Sequence, residues 1–358
     1  MNDASRLNGC IARIAPVDDL LPAKAMAHID TLTKPLGSLG RLEELAARLF
    51  AIQEGKAPIA ADPARIVTVA ADHGVAAEGV SPSPAIVTRQ QVHNFMEGGG
   101  GISVLCACNG IGHQVVDAGV AGEEFPEHPI LVRRKIASGT ANIAEGPAMS
   151  TEECLAALAL GIDLADMARA DGVRCLGTGE MGIANTTPST ALFAAMLGVA
   201  PEAITGPGAG LPRTRLAHKT AVIRKALAVN SAAAASRDPL AVLTALGGLE
   251  IATLSGLILG AAANRIAVMV DGFISTAAYV MARSFAPSVR DYCFFAHASA
   301  EPGHVLIMER LGERPLVDLD FRLGEGTGAV FGMLVLRSAA AMFNNMATFT
   351  GAGVSESK

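Results

Sequence analysis

The chain has 358 residues, of which 51% are hydrophobic, 38 are glycine, 4% are aromatic and none is tryptophan, with a formal net charge of -6. That length accommodates one large domain or two with a sizeable core, and the small-residue-rich, aromatic-poor composition is that of an α/β enzyme. No Lys/Arg run and no basic patch interleaved with aromatics is present to track a phosphate backbone, which excludes nucleic acid as a partner.

The first residues, "MNDASRLNGCIARIAP", are acidic and polar where a signal peptide carries a basic start and an apolar stretch, so a cytoplasmic location is expected. Residues 17–54 follow a helical period, with Leu42, Leu45 and Leu49 on one face and "KPLGSLG" (34–40) breaking it. From "ARIVTVAADHG" onward, short β-branched runs alternate with Ala-rich helical segments. "HQVVDAG", "HPILVRRKI", "GVRCLGTGE", "NRIAVMVDG" and "RDYCFFAH" are the further strand candidates, an alternation that predicts a parallel sheet flanked by helices. The longest apolar run, "IATLSGLILGAAA" (251–263), lies between Glu250 and Arg265 and is shorter than the roughly 20 residues of a membrane span. It reads as a buried helix, and no membrane partner is expected. An apolar helix over 329–347 is expected to pack on the N-terminal helices. Residues 1–60 with 330–358 would then form a smaller, discontinuous helical domain beside a large α/β domain of 61–329. The six cysteines (Cys10, Cys106, Cys108, Cys154, Cys175, Cys293) are scattered, giving neither a zinc spacing nor a disulfide framework.

Open parallel sheets bind ligands beyond the carboxyl ends of their strands, which puts the functional loops at 72–83, 177–187 and 271–275. After the first strand come Asp72 and His73, then Glu78, Ser81, Ser83, Arg89 and Gln91. These are too few ligands for a metal, and hydrogen bonding is the better reading. "GTGEMGIANTTPSTA" (177–191) gathers Glu180, Asn185, Thr186 and Thr187 at a strand end; a helix cap at Thr187 and a sugar-phosphate site explain it equally. "TGPGAGLPRTRLAHK" (205–219) runs a glycine turn into a helix with Arg213, Arg215 and Lys219, suited to an anion, although a structural turn accounts for it better. "LVDLD" (316–320), read as a strand, puts Asp318 and Asp320 on one face. The pair loosely resembles the ribose-binding loops of magnesium-dependent pyrophosphate transferases, and edge-strand solubility explains it as well.

In "LDFRLGEGTGAVFGML" (319–334), Glu325 sits between two glycines in an apolar segment, either a surface turn or a base held by a tight loop. A dehydrogenase fits the α/β pattern but not the turn after the first strand, which lacks G-x-G-x-x-G. A nucleotide-binding regulatory module would have little use for Glu325. Nothing in these residues calls for a metal or a cofactor.

The order of these segments is more specific than any one of them. "KPLGSLGRLEELA", "ADHGVAAEGVSPSPAIVT", "GTANIAEGPAMS", "GEMGIANTTPSTA", "GPGAGL", "VDGFIS", "AHASAE" and "RLGEGTGA" resemble, in sequence and spacing from about residue 20 to 347, the nicotinate-nucleotide:dimethylbenzimidazole phosphoribosyltransferase family. The resemblance implies a homodimer with a Rossmann-like domain and a smaller helical one. It also implies transfer of phosphoribose from nicotinate mononucleotide to 5,6-dimethylbenzimidazole, giving α-ribazole 5'-phosphate and nicotinate for the lower ligand of cobalamin. By the same resemblance Glu325 is the general base and Glu180 the second active-site carboxylate. Phosphate and ribose fall to Gly179, Gly182, Asn185, Thr186, Gly206, Gly208, Gly210 and Lys219. Ser83 and Gln91 are polar groups near the benzimidazole, with Met181 and Leu323 as aliphatic residues around the flat base.

Overall fold

The six β-branched runs pair into one parallel sheet in the computed structural model, which describes residues 2–355. The strands are β1 (Ala64–Ala71), β2 (Gly112–Gly119), β3 (Leu131–Arg133), β4 (Cys175–Met181), β5 (Ala267–Val270) and β6 (Cys293–Phe295). Each coincides with a run expected from sequence. They lie in the order β3-β2-β1-β4-β5-β6, every neighbouring pair parallel. This is the doubly wound order, and the chain changes direction between β1 and β4, where a crevice opens beyond the strand ends.

Helices α1 (Asp3–Ile11), α2 (Leu20–Ile29) and α3 (Arg41–Ile52) precede the sheet, and α4 (Ile86–Met96), α5 (Gly101–Asn109) and α6 (Thr151–Ala170) lie between β1 and β4. Between β4 and β5 come α7 (Thr186–Leu197), α8 (Pro201–Ile204), α9 (Leu216–Val229), α10 (Ser231–Ser236), α11 (Pro239–Leu246) and α12 (Leu249–Ala263). Then follow α13 (Phe273–Phe285), α14 (Gly303–Leu311), α15 (Thr327–Asn345) and α16 (Phe349–Ala352).

The apolar run of 251–263 is indeed a helix at the centre of the core, with every residue from Leu249 to Ala262 buried. It lies so close to α6 that a Cβ at Gly161 would collide with the Thr253 carbonyl oxygen, and one at Gly256 with that of Leu158. Small residues are what let the two backbones meet. Among the described residues α15 alone is long and apolar enough to cross a membrane; here its first turns cover the sheet through Ala329, Val330 and Met333. Its far end packs on α2 and α3, where Phe343 meets Phe50 with ring centres 5.5 Å apart and its carbonyl accepts the His28 Nε2–H at 3.0 Å. The loop 34–40 is pinned by a buried ion pair, Lys34 to Glu43 at 2.8 Å, and Glu43 also accepts the Leu39 N–H.

Residues 316–320 are not a strand. Only Val317 bridges to His297, Asp318 and Asp320 are exposed, and Asp320 turns to φ 55°, so the alternation that would align the two carboxylates is absent. Asp72 and His73, adjacent after β1, take different hydrogen-bond partners. Asp72 Oδ2 accepts the Ala121 N–H at 2.8 Å, while His73 Nε2 meets Glu250 Oε1 at 2.7 Å deep in the core.

Candidate active site

Beyond β4 and β5 a cavity is lined by residues of the 180–186 turn, the 271–275 turn, the loop 297–301 and residues 322–324. Larger clefts lie elsewhere, of about 310 to 530 Å³; in one of them Arg48 already serves the Cys293 carbonyl and Arg290 the Glu313 carboxylate. The first turns of α7 and α13 both line the smaller cavity, bringing two helix N-termini to one place, although in α7 the Thr187 N–H already meets the Ala184 carbonyl and Pro188 has no N–H. Ser275 Oγ there is buried and without a hydrogen-bond partner.

Glu325 is not on this lining but follows directly on Gly324, which is, and sits there in an unusual turn. Gly324, Glu325 and Gly326 all adopt left-handed backbone, with φ of 81°, 65° and 98°. The flanking glycines do so freely, but Glu325 does not, at a cost of roughly 1 to 2 kcal/mol for a residue with a Cβ. Contacts from the sheet hold it. Thr68 Oγ1 donates to the Glu325 carbonyl at 2.9 Å and accepts at 3.1 Å from His113 Nε2, whose ring burial keeps neutral by pulling its pKa down to about 4. Gly179 backs the turn so closely that a Cβ would collide with the Glu325 carbonyl oxygen. Gly179→Ala is therefore expected to displace the carboxylate and lower kcat roughly 100-fold, the scale of a 1 Å misplacement, with circular dichroism unchanged; an unaltered kcat would show that the turn tolerates the shift.

The Glu325 carboxylate is buried, accepting from Gln91 Nε2 and from the Ile102 N–H at the start of α5, each at 3.2 Å. Burial raises its pKa, the two donors oppose the rise, and the Asp271 carboxylate adds to it. Each carboxylate oxygen retains a lone pair for a further donor. This buried, raised carboxyl is no surface turn.

Glu180 stands across Gly324 from it; a Cβ on that glycine would touch Glu180 Oε1. Its Oε2 accepts from Asn185 Nδ2. Burial pushes the Glu180 pKa up to about 8 against that bond, with the charges of Glu250, Asp271 and Glu325 adding to the rise. Glu180 is thus largely protonated at neutral pH. Because Asn185 turns its side chain to Glu180 and Thr187 falls inside α7 with an unpartnered hydroxyl, the cap expected at Thr187 is not formed.

Lys219 lies just beneath the cavity floor. Its buried ammonium donates to Thr186 Oγ1 at 2.7 Å and to the Gly206 carbonyl at 2.9 Å. Burial lowers its pKa to about 8 and nearby Glu301 resists that fall. Glu301 itself accepts the Gly208 N–H at 3.1 Å, so this amide, expected to meet an anion, is occupied by a carboxylate whose pKa burial raises. Lys219→Ala is expected to weaken binding of a phosphorylated substrate by roughly 1.5 to 3 kcal/mol, read as a rise in its KM; an unchanged KM would detach Lys219 from the site.

Of the residues singled out from sequence, Glu180, Met181, Gly182, Asn185, Thr186, Gly208 and Leu323 line the cavity, and Gln91 touches Glu325. Gly179 and Gly206 lie behind it as packing positions against Glu325 and Glu301. Gly210 is exposed with open space about it, and Ser83, half-buried, has its N–H turned back to Ser81 Oγ. Sequence reasoning gave no individual role to Asp271, His297, Ser299 or Glu301, all of which line the cavity. The signals for them were position, directly after β5 and β6, and their place in the segments "VDGFIS" and "AHASAE". The neutral His304 ring, its pKa lowered to about 3 by burial, accepts the Ser299 N–H on Nδ1 and donates from Nε2 to Thr276, which fixes that loop.

A family model described as a phosphoribosyltransferase matches residues 14–354. The chain is 59% identical over 350 residues to the nicotinate-nucleotide–dimethylbenzimidazole phosphoribosyltransferase of Nitratidesulfovibrio vulgaris strain DP4, covering 98% of each chain. It is 61% identical over 344 residues to the protein of that name from Oleidesulfovibrio alaskensis, covering 96% of each. A crystal structure of a phosphoribosyltransferase of that name from Thermus thermophilus superposes with a TM-score of 0.89 at 44% identity, over 95% of this chain and 100% of that one. The cavity lined by Glu180, Asp271 and Glu301, with Glu325 next to it in the chain after Gly324, therefore lies in a chain that belongs to the nicotinate-nucleotide–dimethylbenzimidazole phosphoribosyltransferase family.

Proposed function

We propose that the chain transfers phosphoribose from nicotinate mononucleotide to 5,6-dimethylbenzimidazole, with Glu325 as the general base. The observation that carries this reading is a buried carboxylate of raised basicity, held in a strained turn beside a cavity with two helix N-termini. The C1'–N bond of the nucleotide breaks with its electron pair going to the pyridinium nitrogen, so nicotinate leaves without needing a proton. One benzimidazole nitrogen forms the new bond to C1', and the other loses its proton to Glu325, for which an N–H to carboxylate distance of roughly 2.6 to 3.2 Å suffices. Attack opposite the leaving ring turns a β bond into an α bond. Glu180 faces the charge that builds on the ribose carbon; a cation there favours its ionised form.

The phosphate is anchored by the first turns of α7 and α13 over Lys219, and this binding holds the sugar between two flat rings. Met181 and Leu323 flank the benzimidazole, with Gln91 and Ser83 at its polar edge. No pyrophosphate leaves, so the chemistry gives a divalent ion no task. The same reading takes the enzyme as a cytoplasmic homodimer without a membrane partner, with residues 1–60 and 330–358 as its smaller helical unit beside 61–329. The test is incubation with both substrates in excess chelator. Mass-identified α-ribazole 5'-phosphate is expected; product only after adding magnesium, or none, would refute the reading.

A further inference from the structure

We propose that Asp271 is a positioning residue for Glu325, pinning the first turn of α15 from the end of β5 and placing its own carboxylate behind that of Glu325. The proposal rests on the reading of Glu325 as the base. Asp271 is buried, and its Oδ1 accepts the Ala329 N–H at 2.9 Å, with the N–H groups of Gly326 and Gly328 directed at the same carboxylate. The helix that begins immediately after Glu325 has glycine at its N-cap and so no side chain of its own for those donors. Asp271 supplies the cap from 58 residues away in sequence. Its own N–H is tied to Thr178 Oγ1 at 3.1 Å, which anchors it to β4. With Thr68 holding the Glu325 carbonyl, the left-handed turn is gripped on both sides, and Asp271 is the grip on the helix side.

The groups facing Glu325 are Asp271 from β5, Glu180 from β4 across Gly324, Gln91 from α4, the Ile102 N–H of α5, and neutral His113 of β2 through Thr68. Gln91 and Ile102 stabilise the ionised carboxylate, whereas Asp271 disfavours it. Asp271 itself is faced by His297, whose Nε2 lies 3.7 Å from Oδ1, and by Glu180 and Glu325; burial raises its pKa, and His297 with the N–H groups of Ala329, Gly326 and Gly328 opposes that rise and favours the carboxylate. Glu325 works deprotonated, so the rate falls on the acid side of its pKa, and a negative neighbour keeps that limb at higher pH.

The experiment is the pH dependence of kcat for wild type, Asp271→Asn and Glu325→Gln. Asparagine keeps an acceptor for the Ala329 N–H but not the charge. Its acid limb is expected to move to lower pH by roughly half a unit to one unit, with the plateau lowered roughly 10-fold as the base weakens and the turn loosens. A limb that stays in place in folded Asp271→Asn overturns the proposal. So does an effect confined to KM for the nucleotide, which would make Asp271 a substrate contact. If Glu325→Gln keeps the wild-type limb, it is the base assignment that fails, separately from Asp271. Should Asp271→Asn not fold, Asp271→Ser, which keeps a hydroxyl acceptor and removes the charge, is read in the same way. A limb moved to lower pH in that folded variant supports the proposal, and an unmoved limb overturns it.

Discussion

Glu325→Gln is expected to lower turnover about 100-fold to 10,000-fold, the usual range for loss of a general base, equivalent to roughly 3 to 5 kcal/mol in activation free energy. The amide preserves size and can still accept from Ile102, so the turn, which is held through its backbone by Thr68 and Asp271, should survive. Nucleotide KM should stay near wild type, because Lys219 bonds to Thr186 and to Gly206 and not to Glu325. Stopped-flow or product-release kinetics with thermal unfolding as a folding check would measure this. Retention of more than about a tenth of the wild-type rate in a folded protein would be too small a loss for a general base. Glu180 or water would then have to take the proton.

Glu180→Gln should separate the two carboxylates in a second way, through stability. Its folded pKa of about 8 lies above the ordinary glutamate value of 4.5, so between these values the native state holds a proton that the unfolded chain has released. The stabilisation linked to that proton is complete below the unfolded value and lost as pH rises through the folded one, a change on the order of a few kcal/mol by pH 9. Glutamine cannot ionise and escapes this loss. The variant should therefore match wild type in denaturant midpoint near pH 4 and exceed it increasingly up to pH 9. A gap independent of pH would mean that Glu180 is not held protonated in the substrate-free protein. Its kcat should fall roughly 100-fold through loss of the charge facing the ribose carbon, less than the largest loss expected for Glu325→Gln.

The strands were legible because each is a short β-branched, aromatic or otherwise apolar run bounded by turn residues, and a parallel sheet buries such runs on both faces. "LVDLD" has the same local look, but only Leu316 and Val317 find backbone partners, at the end of β6 and just past it, and the chain leaves the sheet before Asp318. At the site, the glycines beside Glu325 announced a turn. That Glu325 itself takes left-handed backbone was not legible, since the force holding it comes from Thr68, 257 residues away, and from Asp271. Likewise the partner of His73 is Glu250, 177 residues on, rather than its neighbour Asp72. Side chains such as His297 and Glu301 acquire a place only when β6 is laid beside β5. Local pattern cannot report which strand ends become neighbours, whereas the ordered motifs shared with a family could.

A crystal soaked with dimethylbenzimidazole and nicotinate mononucleotide would read the chemistry directly. The expected result is a benzimidazole N–H within about 2.6 to 3.2 Å of a Glu325 carboxylate oxygen, the other ring nitrogen aimed at C1' of the ribose, and Glu180 beside that carbon. A benzimidazole whose N–H faces Glu180 or solvent, with Glu325 still bonded only to Gln91 and Ile102, would contradict Glu325 as the base.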